Sequence, residues 1–260
     1  MLLTNTPMGS GRTRFLSRSF ITLAVLFITG FFYVPTFGQS PVFPTETVGS
    51  TNVAATTTLA NHETNNGFLN TALTMTQGGA TLPADIRATS TSTGYTGASA
   101  GNNLFFTGTA GSYGFAIEGI DASAYTSLTV QFGWRKESGT ALPTLALDYW
   151  NGTAYVNIPF TFTQAANAAT GWYLSPAIAI PAAGQINGLK LRWTKSGTVS
   201  CRLDDISVTG ILPVPTVNVA GSVFSKFYAN DGQSSEAQLV AVSGNNLTDP
   251  IVIGPTTGYE

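Results

Sequence analysis

The chain has 260 residues, of which 43% are hydrophobic, 11% aromatic and only 9% charged, and its formal net charge is −2. That length supports a sizeable core, and that much apolar and aromatic content excludes a disordered chain. Charges fall well below the usual share of about a quarter and Thr, Ser, Asn, Gly and Ala take their place, which suits a secreted β protein better than a cytosolic enzyme.

Arg12, Arg14 and Arg18 precede an uncharged apolar run from Phe20 to Val34, and Pro35 ends it. The run is shorter than the roughly 20 residues of a spanning helix, and small residues follow at Thr36 and Gly38. This is the order of a secretory signal. Residues 1–38 therefore read as a leader cut after Gly38, with Gln39 or Ser40 at the mature start and no membrane span once it is gone. No cysteine stands at the cut, which argues against a lipid anchor. Without the three leader arginines, 8 basic residues face 13 acidic ones, a formal charge of −5. No basic stripe remains for nucleic acid.

Residues 39–66, rich in Pro, Thr, Asn and Ala, read as an extended entry or a first edge strand. His62, the only histidine, reads as a bland exposed residue, although Glu63 beside it would make a metal ligand thinkable. Gly67–Asn70 and Ala72–Met75 read as short strands, and Ala84–Arg87 as another. Gly94–Asn103 is a Gly-rich loop; with no following helix and no Lys-Ser/Thr pair it is no phosphate cradle. Leu104–Phe106 resumes a strand. Tyr113, Phe115 and Ile117, then Leu128, Val130, Phe132 and Trp134, alternate with small or polar residues, the period of a half-buried strand. Ile120–Tyr125 between them reads as a connector with one helical turn.

Leu145–Ile158 reads as a hairpin. Asn151-Gly152 is a strong two-residue turn signal; with it, Leu145 opposes Ile158, Leu147 opposes Val156 and Tyr149 opposes Ala154. Both apolar sets then share one face. Trp150 and Tyr155 become diagonal neighbours on the wet face, with Asp148 beside them. Phe160 and Phe162 extend the second arm, and Trp172, Leu174, Ile178 and Ile180 are further strand pieces. Trp134 and Trp172 read as core. Leu189–Val208 reads as a closing hairpin turning at Lys195-Ser196-Gly197. Its first arm buries Leu189, Leu191 and Trp193 and wets Lys190 and Arg192. The return arm places Val199, Cys201 and Leu203 on odd positions, then Ile206 and Val208 on even ones. A period of two changes parity only through an extra residue, so a β-bulge is expected at Asp204-Asp205. Cys201, the only cysteine, is expected in the core, and no intramolecular disulfide can form.

No stretch shows convincing helical periodicity. Many short strands punctuated by turns give an all-β fold over residues 67–212, a sandwich or a barrel. Pro213-Val-Pro215 reads as a linker, and residues 213–260 as the start of a second β domain, too short to close a sandwich of its own.

Ala84–Arg87, Tyr95–Ser99, Leu128–Arg135, Asp148-Tyr149 with Gly152-Thr153, and Arg202–Val208 resemble the jelly-roll modules of large secreted Bacteroidetes proteins. Val242–Thr248 and Pro255–Glu260 are similar to the first half of the immunoglobulin-like repeats of those proteins. The resemblance implies an antiparallel jelly-roll β-sandwich over residues 67–212, an incomplete immunoglobulin-like β domain over residues 213–260, and a monomeric module within a longer chain, placed outside the cell or on its surface. In related carbohydrate-binding jelly rolls a carboxylate near the last strand holds a structural Ca²⁺. Asp204 or Asp205 matches that place, and an oxygen from near Asn66–Asn70 would have to join, since Ca²⁺ takes six to eight oxygens.

One histidine and one buried cysteine exclude most nucleophilic triads, and nothing brings a carboxylate pair such as Asp148 and Asp204 together. No catalytic residue is expected. A non-catalytic binding or adhesion module is favoured, with Trp150, Tyr155 and Asp148 stacking and hydrogen-bonding an extracellular polysaccharide or cell-surface glycan. The alternative is a structural spacer, or an accessory domain of a secreted hydrolase: a nuclease, protease or glycosidase.

Overall fold

In the computed structural model, which describes residues 38–49, 56–220, 241–247 and 249–252, the alternating apolar residues close two sheets face to face. Strands are numbered in chain order. The first sheet runs β11 (Gly171–Leu174), β8 (Thr126–Lys136), β14 (Cys201–Ile211), β6 (Asn103–Phe106), β5 (Asp85–Arg87), β2 (Thr57–Thr58); β1 (Ser40–Pro41) pairs with β14 and β12 (Ile178–Ala179) with β8. The second runs β10 (Tyr155–Ile158), β9 (Thr144–Trp150), β13 (Asn187–Ser196), β7 (Tyr113–Asp121), β3 (Thr74–Thr76). All of these pairings are antiparallel; β4 (Leu82–Pro83) adds a short parallel contact to β7. The protein is an all-β sandwich. The chain passes repeatedly from one sheet to the other, as jelly rolls do. Separately, β15 (Thr216–Ala220) and β16 (Ala241–Asn245) pair as a two-stranded ribbon. The expected leader lies outside the described residues up to Phe37.

The core is the layer between the sheets. Phe132 and Trp134 from β8 and Leu203 and Ile206 from β14 face Phe115 and Ile117 from β7 and Leu191 and Trp193 from β13, all of them buried. Trp193 meets Phe132 edge-on at 5.7 Å, across the two sheets. Cys201 is fully buried as expected, and burial pushes its thiol up to about 12.

Several expectations are corrected. Leu189–Val208 is not a hairpin: β13 pairs with β7 and β9, whereas β14 pairs with β1, β6 and β8. The turn after Lys195 is an arch between sheets. Both arms bury their apolar sides in the same core, a pattern that a hairpin and an arch share. The parity slip is real: Asp204 pairs with Gly133 but Ser207 with Gln131, and Asp205 between them takes a positive φ of 51°. That is a β-bulge on β14.

The Asn151-Gly152 hairpin forms, but in another register. Trp150 pairs with Tyr155, Tyr149 with Val156 and Leu147 with Ile158. The Asn151 side chain is the reason. Its Oδ1 accepts from the backbone N–H of Thr153 and Ala154 and from the Thr153 hydroxyl, which opens a four-residue loop. A slip of two keeps every residue on its face, so Leu147, Tyr149 and Ile158 remain buried.

Residues read as extended contain a short helix, α1 (Leu59–Thr64), capped by Thr58, whose side chain accepts from the N–H of Asn61. Six residues are too few to show a helical period. His62 is buried rather than exposed: its Nε2 lies 3.0 Å from the Val48 carbonyl oxygen and its ring meets Phe68 edge-on. Glu63 accepts from the N–H of Met75. Gly67–Asn70 is no strand; the buried Glu46 carboxylate accepts from Val48 N, Leu69 N, Asn70 N and Asn70 Nδ2 and pins the turn. The connector after Ile120 has no helical turn, since β7 runs on to Asp121.

Candidate functional site

The outer face of the second sheet gathers the aromatic candidates. Trp150 and Tyr155 stand directly opposite each other on β9 and β10, both half-buried, with ring centroids 5.3 Å apart and an interplanar angle of 69°. Direct pairing puts the edge of one ring on the other, a geometry aromatic pairs favour. Arg192 of β13 lays its guanidinium over Tyr155, Cζ 3.9 Å from the ring centre, and Lys190 stands 5.5 Å from the Trp150 ring. Burial raises the Tyr155 phenol, and the Glu118 charge raises it further.

Asp148 lies on this face but is 8% exposed, and its oxygens are taken. Its Oδ2 accepts from Arg192 Nε at 3.0 Å and Nη2 at 2.7 Å, and its Oδ1 from Asn157 Nδ2 at 3.1 Å. Arg192 Nη1 donates to the Gly78 carbonyl. Asp148 is therefore occupied by its own neighbours. It holds Arg192 flat, and Arg192 backs Tyr155.

Sequence reasoning missed Glu118 of β7 and passed over Lys190. Lys190 Nζ donates to Glu118 Oε2 at 2.6 Å, and the Thr76 hydroxyl donates to Glu118 Oε1 at 2.7 Å. Burial alone would raise the Glu118 carboxyl, but these hydrogen bonds hold it below the usual carboxylate value, and the bond to Glu118 raises Lys190. The signal for Lys190 and Arg192 was present as the wet positions between Leu189, Leu191 and Trp193. Their partners depend on β13 pairing with β9 and β7, which no local pattern reveals.

The metal candidates lie elsewhere. Asp204 and Asp205 sit at the bulge on the outer face of the first sheet, beneath the Gly-rich loop, which crosses that face. Trp172 Nε1 donates to Ser90 O and Arg202 Nη1 to Thr89 O, so Trp172 is buried under the segment that leads into this loop rather than between the sheets. Tyr95 donates to Asp205 Oδ2 at 2.5 Å, as does Ser99 N at 3.3 Å, and Asp205 N donates to Asp204 Oδ1. Asp205 Oδ1 is buried and has no hydrogen-bond partner among the described residues. Burial, then the Asp205 charge, pushes the Asp204 carboxyl up to about 8; burial and the bond to Asp205 push the Tyr95 phenol up as well. The Asn66–Asn70 segment, expected to supply a further oxygen here, is engaged by Glu46 instead. Among the described residues no third acidic, histidine or cysteine side chain joins the pair. Asp148 and Asp204 occupy outer faces of opposite sheets and cannot act as one carboxylate pair.

The sequence matches no protein-family model and no curated protein. Similar solved structures include the K2 cleaved adhesin domain of Lys-gingipain (Kgp), at 14% identity and TM-score 0.38, over 63% of this chain and 96% of that one. The K3 cleaved adhesin domain of Lys-gingipain from Porphyromonas gingivalis w83 is similar at 13% identity and TM-score 0.36, over 54% of this chain and 92% of that one. TmCBM61, solved in complex with beta-1,4-galactotriose, is similar at 12% identity and TM-score 0.29, over 54% and 83%.

Proposed function

We propose that the protein is an exported, non-catalytic glycan-binding module whose contact surface is the outer face of the second sheet around Trp150. The observation that carries this reading is a partly exposed indole braced by a second aromatic ring, with two cations and their carboxylates alongside. A pyranose presents C–H groups on one face and hydroxyls around its edge. The indole suits the first, and the charged hydrogen-bonding groups suit the second. Export rests on the leader, and a cut after Gly38 leaves the following residues usefully placed. Gln39 Oε1 accepts from the hydroxyls of Thr129 and Thr209, and Ser40 pairs with Gly210.

Affinity electrophoresis through gels containing plant and bacterial polysaccharides tests the binding. Retardation of the wild-type protein in at least one gel, lost in Trp150→Ala, supports the reading. No retardation in any gel, or unchanged retardation of the variant, favours a structural spacer.

The aspartate pair supports a structural Ca²⁺. Among the described residues the two adjacent buried carboxylates have no basic partner, and one of their oxygens has no hydrogen-bond donor. Asp204 and Asp205, with the hydroxyls of Ser92 and Ser99, are hard oxygen donors that would hold the cation, which would supply the missing positive charge. Adding Ca²⁺ to EDTA-treated protein is expected to raise its melting midpoint, and Asp205→Asn to remove the rise. An unchanged wild-type midpoint contradicts the site.

A further inference from the structure

The open face extends well beyond the aromatic pair. Thr74 pairs with Glu118, Tyr149 with Leu191, and Trp150 with Tyr155. The middle pairing sets Lys190 against Trp150. On the other flank of Lys190, β7 bulges at Glu118-Gly119, because Leu189 pairs with Ile120 but Leu191 with Ile117. One side chain from each of five adjacent strands thus forms a row across the sheet: Thr74, Glu118, Lys190, Trp150 and Tyr155. None of the five is buried.

The two flanks of this row differ. On one side stands a wall. Gly78 packs over Ala116 and Arg192 so closely that a Cβ there would come within 2.9 Å of both side chains, and Arg192 is fastened to Asp148. On the other side lie Gly119 and Gly188, where an added Cβ would meet nothing within 4 Å. The row is a ledge, backed on one side and open on the other. Both ends run off the sheet, at the edge strands β10 and β3. At the β3 end, Thr76, the donor to Glu118, also lines a cavity of about 410 Å³ against α1. The charges along the ledge cancel in pairs, Lys190 with Glu118 and Arg192 with Asp148.

We infer that this ledge binds an internal stretch of an uncharged polysaccharide laid across the strands, with one sugar stacked on Trp150 and the hydroxyls of its neighbours met by the Glu118–Lys190 pair. The inference rests on the glycan-binding reading above and adds the orientation, the length and the charge of the ligand. Four strand spacings make about 19 Å, and a sugar ring in an extended chain covers close to one spacing, so about four residues are held. A site that needed a chain end would be closed at one end of the row; this row is closed at neither. A polyanion would face Glu118 and Asp148 with no surplus cation to receive it.

Titration calorimetry of the full chain with cello-, xylo-, manno- and galacto-oligosaccharides of one to six residues tests this. In the series that binds, affinity is expected to climb with each residue to about four and then level. Reducing or capping the chain ends should change it less than twofold, as should 1 M NaCl. Glu118→Gln should lower tetrasaccharide affinity about tenfold while leaving the disaccharide within twofold, and Lys190→Met should do the same; melting midpoints confirm that both variants fold. Full affinity at one or two residues, dependence on a free end, tighter binding of oligogalacturonate than of the neutral series, or no effect of either variant on the tetrasaccharide overturns the ledge while leaving Trp150 as a sugar-stacking residue. No binding in any series overturns both.

Discussion

At the scale of single residues, the distinction that matters is between side chains that hold and side chains that touch. Asp148 looks like a ligand-binding carboxylate in sequence, yet its oxygens are spent on Arg192 and Asn157. Trp150 has no such obligation. Trp150→Ala is expected to weaken glycan binding at least tenfold, about 1.4 kcal/mol, and to move the melting midpoint less than loss of a core tryptophan would, because the ring lies outside the core on the outer face. Asp148→Asn should weaken binding less and should loosen Arg192, visible as a lower midpoint. Asp204 answers to pH. Its folded carboxyl keeps its proton up to about pH 8, while the unfolded one releases it near its ordinary value of 3.8. Between those values the folded state binds the extra proton, so stability in EDTA should fall as pH rises from about 4 to 8. Urea titrations across that range check this; Asp204→Asn should flatten the curve, and a wild-type curve that rises over the same interval would contradict the assignment.

At the scale of elements, the first sheet's outer face is organised by a strap, residues 88–102. Gly133 on β8 leaves the room for it, since a Cβ there would lie 1.9 Å from the Tyr95 hydroxyl. Gly133→Ala is expected to destabilise the protein by about 1–3 kcal/mol, as overpacking does, and to expose the strap to proteolysis near Tyr95; a cleavage pattern unchanged from wild type would argue that the strap is held by other contacts. Two buried lysines fasten loops at strand ends in a comparable way. Lys136 Nζ donates to the carbonyls of Gly139, Ala165, Ala166 and Ala168, and Lys195 Nζ to those of Thr107, Thr109 and Gly197. Which of these features the sequence disclosed follows from range. Strands β7, β8, β13 and β14 and the bulge at Asp204-Asp205 were legible because side-chain parity is local. The arch after Lys195 was misread as a hairpin because parity reports which face is buried and not which strand lies alongside. The hairpin at Asn151 slipped by two because a side-chain hydrogen bond, invisible to a turn signature, widened the loop. Glu118 entered the site only through β7–β13 pairing across some 70 residues, and the strap only through contacts between Tyr95 and Asp205.

At the scale of the whole molecule, the sandwich presents two outer faces that do different work. One is occupied by the protein's own strap, which buries Trp172, Arg202 and both bulge aspartates. The other keeps a row of side chains open, with Trp150 at its aromatic end. Export belongs to this scale as well: N-terminal sequencing of the secreted protein should begin at Gln39, and a mature chain that retains Phe20–Val34 would contradict a cleaved leader. The four tryptophans give the most direct reading of the central claim. Trp134 and Trp193 are fully buried in the core, Trp172 is 6% exposed beneath the strap, and Trp150 alone is partly exposed, on the open face. In a ¹⁵N–¹H spectrum of the labelled protein titrated with a polysaccharide that retards it, the indole signal of Trp150 should shift progressively while the other three stay in place. Movement of the Trp172 indole with Trp150 unmoved would put the ligand on the opposite face and contradict the account.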